Sequence, residues 1–291
     1  MTDVLQELVA LLSLEKIEEN LYRGQSQDLG WGTVYGGQVL GQALSAAVKT
    51  VPEDRFVHSL HAYFLHPGDV SRPIVYDVDR IRDGGSFTTR RVVAIQNGRA
   101  IFNMSASFQV DEAGFDHQDG GPTAPEPDGL LTEQERLRAL GDRLPEPLRT
   151  RATGERPFEI RRVDPPEDPV APRKRPPRSM HWLRTAAELP DSPALHRFLL
   201  AYASDFSFLT TSLQPHGVTW LTPGMQVASI DHAMWFHRPF RVDQWLLHSI
   251  HSSSASGARG FVRGQIFDQE GNLVASTAQE GLIRMRTTPP G

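Results

Sequence analysis

An internal repeat constrains this chain more than any other feature of its sequence. The segment His61–His66 (HAYFLH) resembles His232–His237 (HAMWFH), and Gln96–Ile101 resembles Gln269–Val274. The two matches keep the same order, at offsets of 171 (232 − 61) and 173 (269 − 96) positions. Solenoid repeats have periods of roughly 20–50 residues, so this longer period indicates two copies of a domain-sized unit. Interfaces between such units are common ligand sites.

The composition is that of a globular protein and excludes several classes of function. Of the 291 residues, 39% are hydrophobic and 22% are charged, and the net charge of −5 gives no basic field for a nucleic acid. The absence of cysteine excludes disulfides, thiolate metal sites and cysteine nucleophiles. The N-terminal segment is acidic where a signal peptide is basic, and no run approaches about 18 apolar residues. We therefore expect a cytoplasmic protein without a membrane span.

The first half has the pattern of a buried helix followed by antiparallel strands. An amphipathic helix near the N-terminus and one strand over 14–22 precede an Ala-rich helix over 38–48. This helix is apolar nearly all round, so we expect it to be buried. Four strands follow, separated by turns that include Asn97-Gly98. Their predicted ranges are 56–65, 74–81, 86–96 and 100–109.

The second half repeats this pattern after a segment without regular periodicity. Gly, Pro, Asp and Glu dominate residues 113–155, which we interpret as a linker with one short helix over 133–140. The predicted units are therefore 1–112 and 156–291. In the second unit the predicted elements are a strand over 158–163, a proline-rich excursion over 165–177, a helix over 196–213 and a meander over 224–286.

Alignment of the two predicted helices places a carboxylate in only one of them. When Leu40 is aligned with Ala201, Asp205 falls on Leu44. Asp205 would then lie inside an apolar helix, where a carboxylate is unfavourable unless it is paired or hydrogen-bonded. Such a carboxylate indicates either a catalytic base or a structural polar contact without chemistry, and both interpretations stay open at this stage.

The strands of the second half also have polar residues whose aligned counterparts in the first half differ. The repeat offsets align Ser229 with His58 and Gln279 with Ala106. Polar residues on strands often face solvent only. Ser229 and Gln279 become candidates because their aligned counterparts in the first half are different.

The start of the first helix is the complementary candidate. Gly36 and Gly37 open it, whereas His196 and Arg197 are expected to open the other. A helix start exposes free N–H groups at its positive end, and glycine lets a substrate carbonyl approach. The two glycines indicate either a carbonyl-binding site or a close helix–sheet contact. Across a pseudo-two-fold axis, this start could face the carboxylate of the other half.

Other catalytic signals are absent or weak. His58, His61 and His66 lie on one predicted strand, but successive pairs point to opposite faces, so we expect no metal. The sequence has no Gly-x-Ser-x-Gly elbow, and the residues around Gly36 lack dinucleotide and P-loop spacing. We expect no cofactor.

Twelve segments spread over nearly the whole chain resemble a known family. They are Leu14–Glu19, Arg23–Ser26, Gly36–Val39, His58–Ser59, Tyr63–Leu65, Tyr202–Asp205, Gln214–Gly217, Asp231–His232, Met234–Phe240, Ala258–Gly264, Val274–Thr277 and Gln279–Gly281. On these the chain resembles acyl-CoA thioesterase II, the TesB-type double hotdog thioesterases. The resemblance departs at His251 and over 164–178.

The resemblance implies an α+β fold of two fused hotdog units, each a long helix wrapped by an antiparallel sheet. It implies hydrolysis of acyl-CoA to fatty acid and CoA, with catalytic residues at Asp205, Ser229 and Gln279. We expect acyl-CoA as the ligand and a homo-oligomer. Two alternatives remain: a hotdog hydratase or dehydratase, which would need a paired Asp and His, and a non-catalytic acyl-CoA sensor. Asp231 and His232 are adjacent on a strand, so their side chains should diverge.

Overall fold

The computed structural model describes residues 2–146, 149, 153–165 and 168–286. Its described helices are α1 (Asp3–Leu12), α2 (Gly36–Val48), α3 (Glu133–Arg138) and α4 (Pro193–Ser204), with 3₁₀ helices Pro127–Gly129, Gly141–Arg143 and Leu209–His216. The strands are β1 (Glu15–Glu18), β2 (Leu21–Gly24), β3 (Phe56–Phe64), β4 (Ile74–Asp83), β5 (Phe87–Gln96), β6 (Arg99–Gln109), β7 (Phe158–Arg162), β8 (Arg178–Thr185), β9 (Met225–Ser229), β10 (Asp231–Phe236), β11 (Leu246–Ser256), β12 (Arg259–Phe267) and β13 (Leu273–Met285).

These strands form one antiparallel sheet whose order repeats about its centre. The order is β1-β2-β4-β5-β6-β3-β10-β13-β12-β11-β8-β7, with β9 pairing on β13. From the centre outwards, β3, β6, β5 and β4 in one half correspond to β10, β13, β12 and β11 in the other. The halves meet where β3 pairs with β10, for example at His61 and Ala233. The α+β architecture that the resemblance implied is therefore present, with one continuous antiparallel sheet and a few helices.

Helices α2 and α4 pack against each other at the centre of the molecule. A Cβ on Gly37 would come within 2.2 Å of the Tyr202 carbonyl oxygen, and one on Gly41 within 3.2 Å of the Phe198 carbonyl oxygen. Because the obstacle at Gly37 is backbone, a side chain there would force the helices apart. In the alignment of Leu40 with Ala201, which has an offset of 161 (201 − 40), Gly37 corresponds to Phe198 and Gly41 corresponds to Tyr202. The alignment therefore turns each of these two contacts into the other. The helices therefore approach each other in a pseudo-two-fold manner.

The burial of α2 follows from its sequence. Eleven consecutive residues from Gly37 to Ala47 are buried. Leu40 and Leu44 are fully buried, and each such side chain contributes about 1.5–3 kcal/mol by leaving water. This helix, expected to be apolar nearly all round, is thus covered by α1, α4 and the sheet.

Strand pairing corrects the predicted alignment of Ser229. Val57 pairs with Phe108 in the first half, and Ser229 pairs with Gly281 in the second. The offsets are 172 (229 − 57) and 173 (281 − 108), so the counterpart of Ser229 is Val57. The predicted counterpart, His58, is wrong by one residue.

The burial pattern gives the physical reason for the one-residue shift. β3 buries Leu60 and Ala62, whereas β10 buries His232 and Met234. Strand side chains alternate between faces, so only an even offset keeps the buried face buried. The HAYFLH/HAMWFH match, at an odd offset, aligned opposite faces.

The counterpart of Gln279 was predicted correctly. Arg90 pairs with Ala106, and Val262 pairs with Gln279. The offsets are 172 (262 − 90) and 173 (279 − 106), the same as those found for Ser229, so Ala106 corresponds to Gln279.

Two predicted elements were drawn too long. The single strand over 14–22 is instead the hairpin of β1 and β2, in which Asn20 adopts a left-handed φ of 61°. The helix predicted over 196–213 begins at Pro193, after Ser192 accepts a hydrogen bond from the Leu195 N–H, and ends at Ser204. Its remainder is a separate 3₁₀ helix, whose apolar residues have near-helical spacing.

The segment predicted as a linker packs on the second half. The Trp182 indole N–H donates to the Pro125 carbonyl at 2.9 Å, and Gln118 hydrogen-bonds Gly271 and Leu273. The short helix predicted over 133–140 is α3. The division into 1–112, 113–155 and 156–291 stays a prediction. Within the described ranges, every helix is too short or too polar to cross a bilayer.

Candidate active site

Asp205 lies at the end of α4 rather than inside it. The helix ends at Ser204, and Asp205 follows with φ −86° and ψ −6°. Two residues later, Ser207 takes a left-handed φ of 55°, which turns the chain away from the helix axis. The prediction that Asp205 is an internal helical residue is therefore wrong. Its position at the helix end lets its carboxylate reach beyond the helix.

Ser229 and Gln279 converge on this carboxylate from two paired strands. The Gln279 Nε2 donates to Asp205 Oδ1 at 2.8 Å and to Ser229 Oγ at 2.9 Å. The Ser229 hydroxyl donates to the same Asp205 oxygen over 3.5 Å, a long contact. β9 and β13 are neighbours in the sheet, which places the two polar side chains side by side. The structure thus brings together the three residues that the sequence singled out.

Burial gives Asp205 an unusual proton affinity. Although the residue as a whole is half-buried, burial of its carboxyl group raises its pKa from 3.8 to about 6. Hydrogen bonds from Gln279, the Gly37 N–H and Ser229 oppose this rise in pKa. A carboxylate with a pKa near 6 is ionised at neutral pH, yet it accepts a proton more readily than an exposed aspartate.

The glycine start of α2 faces this site from the other half of the chain. The Gly37 N–H donates to the Asp205 carboxylate. A Cβ on Gly36 would lie 2.9 Å from Asp205 Oδ2. Gly37 allows a close contact with helix α4 rather than with the sheet, and its N–H binds the Asp205 carboxylate, so the carbonyl-binding role of the two glycines stays a prediction. The missing side chain of Gly36 lets Asp205 Oδ2 and the Phe64 ring lie close to the helix start.

One polar atom at the site lacks a partner. Gln279 is fully buried, and its Oε1 accepts no hydrogen bond in the described part of the chain. Its Nε2 group already uses both hydrogens on Asp205 and Ser229. A buried acceptor of this kind normally binds water or a ligand group.

Aromatic rings surround the helix start, where Tyr35 stacks on Phe206 at 5.3 Å.

Ser204 and His232 support the site, and neither was among the candidate catalytic residues from the sequence. The Ser204 hydroxyl donates to the Ala201 carbonyl at 2.9 Å and lies 3.0 Å from His232 Nε2. Since the hydroxyl hydrogen is used on Ala201, His232 must be the donor to Ser204. Burial lowers the pKa of His232 to about 4, so this ring is neutral. The sequence signals were the position of Ser204 directly before Asp205 and the place of His232 in the repeated segment.

The neighbouring Asp231 does not pair with His232. Its Oδ1 accepts from the Glu280 N–H at 2.6 Å, on the opposite side of the strand from the contact between His232 and Ser204. The side chains diverge, as expected for adjacent strand residues. A hydratase-type Asp-His pair is therefore not formed by these two residues. Among the described residues, no group of three potential ligands could hold a metal ion.

Two family models match the chain. The one described as acyl-CoA thioesterase matches residues 149–282, and the one described as acyl-CoA thioesterase N-terminal domain matches residues 26–109. The chain is 48% identical over 284 residues to acyl-CoA thioesterase 2 of Haemophilus influenzae, covering 98% of this chain and 99% of that protein. It is 40% identical over 288 residues to acyl-coenzyme A thioesterase 8 of Homo sapiens, covering 96% and 89%.

Solved structures give the same result. The crystal structure of acyl-CoA thioesterase II TesB2 from Mycobacterium marinum is 41% identical, with a TM-score of 0.77, covering 96% of this chain and 99% of that one. A protein from Alicyclobacillus acidocaldarius described as having a hot dog fold is only 18% identical, but its TM-score of 0.76 shows the same fold. Similarity at this level over nearly the whole chain shows that it belongs to the acyl-CoA thioesterase family.

Proposed function

We propose that this chain hydrolyses acyl-CoA thioesters to a free fatty acid and CoA, with Asp205 as the general base. One observation carries the proposal: two polar side chains, Ser229 and Gln279, meet at the single buried carboxylate of Asp205, opposite a glycine helix start from the other half. The family membership supports the reaction class. The residue roles rest on the geometry of the site.

The proposed first step is activation of a water molecule. The water binds between the Asp205 carboxylate and the free Oε1 of Gln279. Asp205 takes a proton as the water oxygen bonds to the thioester carbonyl carbon. Ser229 and the Nε2 group of Gln279 keep the carboxylate and the water in line. Such positioned proton transfer typically contributes about 10²–10⁴-fold in rate.

The proposed second step breaks the carbon–sulfur bond. The negative charge that forms on the carbonyl oxygen lies at the positive end of α2. Since the Gly37 N–H is already used by Asp205, we assign the Gly36 N–H in the first turn to the carbonyl oxygen, with Gly37 holding the base. As the tetrahedral intermediate collapses, the proton on Asp205 moves to the departing sulfur, giving the CoA thiol and the fatty acid.

The proposal extends to the organisation of the chain. Each half, 1–112 and 156–291, would be one hotdog unit, with 113–155 as the linker. The repeated strand order about the β3–β10 pair supports this division. The active site would then be shared, since Gly36 and Gly37 come from one unit and the three polar side chains from the other. A homo-oligomer stays a prediction, for which light scattering on the purified chain is the measurement.

Asp205→Asn tests the assignment of the base. Asparagine keeps the shape and can still accept the hydrogen bond from Gln279, but it cannot take a proton, so we expect turnover to fall about 10²–10⁴-fold. The measurement is release of free thiol from a panel of acyl-CoAs. Asp231→Asn is the matched control, because Asp231 is a nearby carboxylate outside the proposed site, and its turnover should stay close to wild type. Near-normal thiol release by Asp205→Asn would remove Asp205 as the base.

A further inference from the structure

A second cleft lies at the start of α4, away from the three polar side chains of the proposed active site. Its volume is about 640 Å³, within the range of about 300–1,000 Å³ that ligand sites occupy. Pro193, His196 and Arg197 at the helix start line one side, and β3 lines another through Phe56 and Val57. Asp205, Ser229 and Gln279 take no part in it.

This cleft is the pseudo-two-fold counterpart of the candidate active site. The active site combines the start of α2 with β9, whereas the cleft combines the start of α4 with β3. Val57, which lines the cleft, is the register counterpart of Ser229. In the helix alignment, Arg197 takes the position of Gly36 (36 + 161). Where the active site has a glycine without a side chain, the second cleft therefore has a residue with a guanidinium group.

Two buried donors in this cleft have no acceptor. His196 is 1% exposed, and its Nδ1 accepts from the Val242 N–H at 3.2 Å. Burial lowers the pKa of His196, so the ring is neutral and its proton lies on Nε2. Neither this Nε2 nor the Nε of Arg197 has a hydrogen-bond partner within the described ranges. Unsatisfied buried donors of this kind are unfavourable in the absence of a ligand.

Arg197 is also a cation without a counter-charge. Its guanidinium lies over the Phe56 ring at 5.3 Å and donates to the Pro193 carbonyl at 3.1 Å. No described carboxylate pairs with it, in contrast to Arg241 in the same cleft, which binds Asp191 and Asp243. The charge of Arg197 therefore remains available to an anion that enters the cleft.

The remaining lining selects the kind of anion. Carboxylates also line the cleft and oppose a ligand with several negative charges, such as one bearing phosphates: Asp111, Glu112, Asp191, Asp268 and Glu270. Apolar side chains form much of the wall: Phe56, Val57, Phe236, Phe240, Trp245 and Leu246. A single carboxylate with an apolar tail satisfies both the unpaired donors and the apolar wall. We propose that this cleft binds a free fatty acid, with the carboxylate on Arg197 and His196 and the chain along the aromatic wall.

The test is isothermal titration calorimetry of the full chain with sodium decanoate. Arg197→Met keeps an apolar stem against Phe56 but removes the charge and the donors. We expect it to weaken binding roughly 10- to 100-fold, the range for hydrogen bonds to a charged group. Asp205→Asn should leave decanoate affinity unchanged, and Arg197→Met should leave thiol release from acyl-CoA unchanged. Each variant should therefore impair only one cleft: Arg197→Met should weaken decanoate binding, and Asp205→Asn should lower thiol release.

A second variant and two further ligands complete the design. Phe56→Glu, at a position that is 36% exposed, supplies Arg197 with an internal carboxylate and should also abolish decanoate binding. Decanol, which lacks the carboxylate, should bind more weakly than decanoate, and CoA should not displace decanoate. Equal decanoate affinity of wild type and Arg197→Met, loss of binding in Asp205→Asn instead, displacement by CoA, or equally tight decanol would each overturn the proposal.

Discussion

The two halves of this chain have the same strand order but opposite chemistry at equivalent positions. Where the second half has Ser229 and Gln279, the first has Val57 and Ala106, and the helix alignment places Leu44 against Asp205. None of the first-half side chains can transfer a proton. The first half instead provides the glycine helix start that faces the carboxylate. Under the proposed function, the two copies would therefore divide the parts of one active site between them.

The helices show the same division of roles at their ends. When Leu40 is aligned with Ala201, the first residue of α2 (Gly36) falls on position 197, so α4 begins four residues earlier, at Pro193. Helix α4 also ends earlier than α2, directly before Asp205. Because α4 stops there, its last residue and Asp205 are free to face α2. Because α2 continues to Val48, the equivalent position in the first half stays inside a helix and is apolar. The different helix ends therefore let Asp205 face α2, whereas the equivalent Leu44 stays within helix packing.

Gln279→Ala should give the largest effect among the residues that differ between the halves, after loss of Asp205 itself. It removes the donor to Asp205 and the free acceptor proposed for water, so we expect kcat to fall by up to about 10²-fold, as for small misplacements of reacting groups. KM should change little, since these contacts serve the transition state. Ala106→Ser, at the equivalent strand position, is the control and should keep kcat. If Gln279→Ala changed only KM, Gln279 would be a substrate-binding residue rather than a catalytic one.

The pH dependence of turnover should follow the raised pKa of Asp205. The base works only when it is ionised, so kcat should be level above pH 7 and fall about tenfold per unit well below pH 6. Thiol release measured from pH 5 to 8 gives the profile. The residual activity of Asp205→Asn should lack this acidic limb. A wild-type midpoint near pH 4 would contradict the burial of the carboxylate.

Ser229→Ala should have a smaller effect than Gln279→Ala. Its hydroxyl contacts Asp205 over 3.5 Å, whereas Gln279 does so over 2.8 Å, and a net contribution of about 0.5–1.5 kcal/mol corresponds to roughly a 2- to 13-fold loss in kcat. Val57→Ala at the equivalent position should lower thermal stability while keeping kcat. Identical kinetic losses in the two variants would show that the difference between the halves at this strand position has no catalytic meaning.

The smallest expected effect is on folding stability. The folded-state pKa of Asp205 is raised from 3.8 to about 6, so the folded protein binds a proton more tightly than the unfolded chain. The resulting stabilisation is fully present below pH 3.8 and is lost as the pH rises through about 6. At pH 7.5 the ionised carboxylate should therefore lower the unfolding free energy by on the order of 1–3 kcal/mol.

Asp205→Asn removes this destabilising charge. Its Tm should exceed that of the wild type by a few degrees at pH 7.5, at roughly 2–4 °C per kcal/mol, and the difference should shrink toward pH 4. Scanning calorimetry at both pH values measures it. A variant that is less stable than wild type at pH 7.5 would show that the hydrogen bonds to Asp205 outweigh its burial.

Much of this arrangement was accessible from residue patterns, and the exceptions have physical causes. Most strands of the first half were found because alternation and turn residues are local signals. The prediction of one strand over 14–22 was wrong because Asn20 adopts a left-handed φ and so forms a turn where no glycine marks one. The prediction of one helix over 196–213 was wrong because the 3₁₀ helix that follows α4 has apolar residues at nearly the α-helical spacing. The counterpart of Ser229 was missed although Pro67 and Pro239 share the correct offset of 172 (239 − 67).

The sequence by itself determined the duplication, the buried Ala-rich helix and the identity of the polar residues present in only one copy. These follow from composition and periodicity, which are properties of neighbouring residues. Only the tertiary structure decided that Asp205 ends its helix, that the Gly37 N–H binds it, and that Gln279 contacts both Asp205 and Ser229. Those contacts join residues 50 to 168 positions apart (279 − 229; 205 − 37). Strand register and helix packing set their distances, and no local pattern encodes either one.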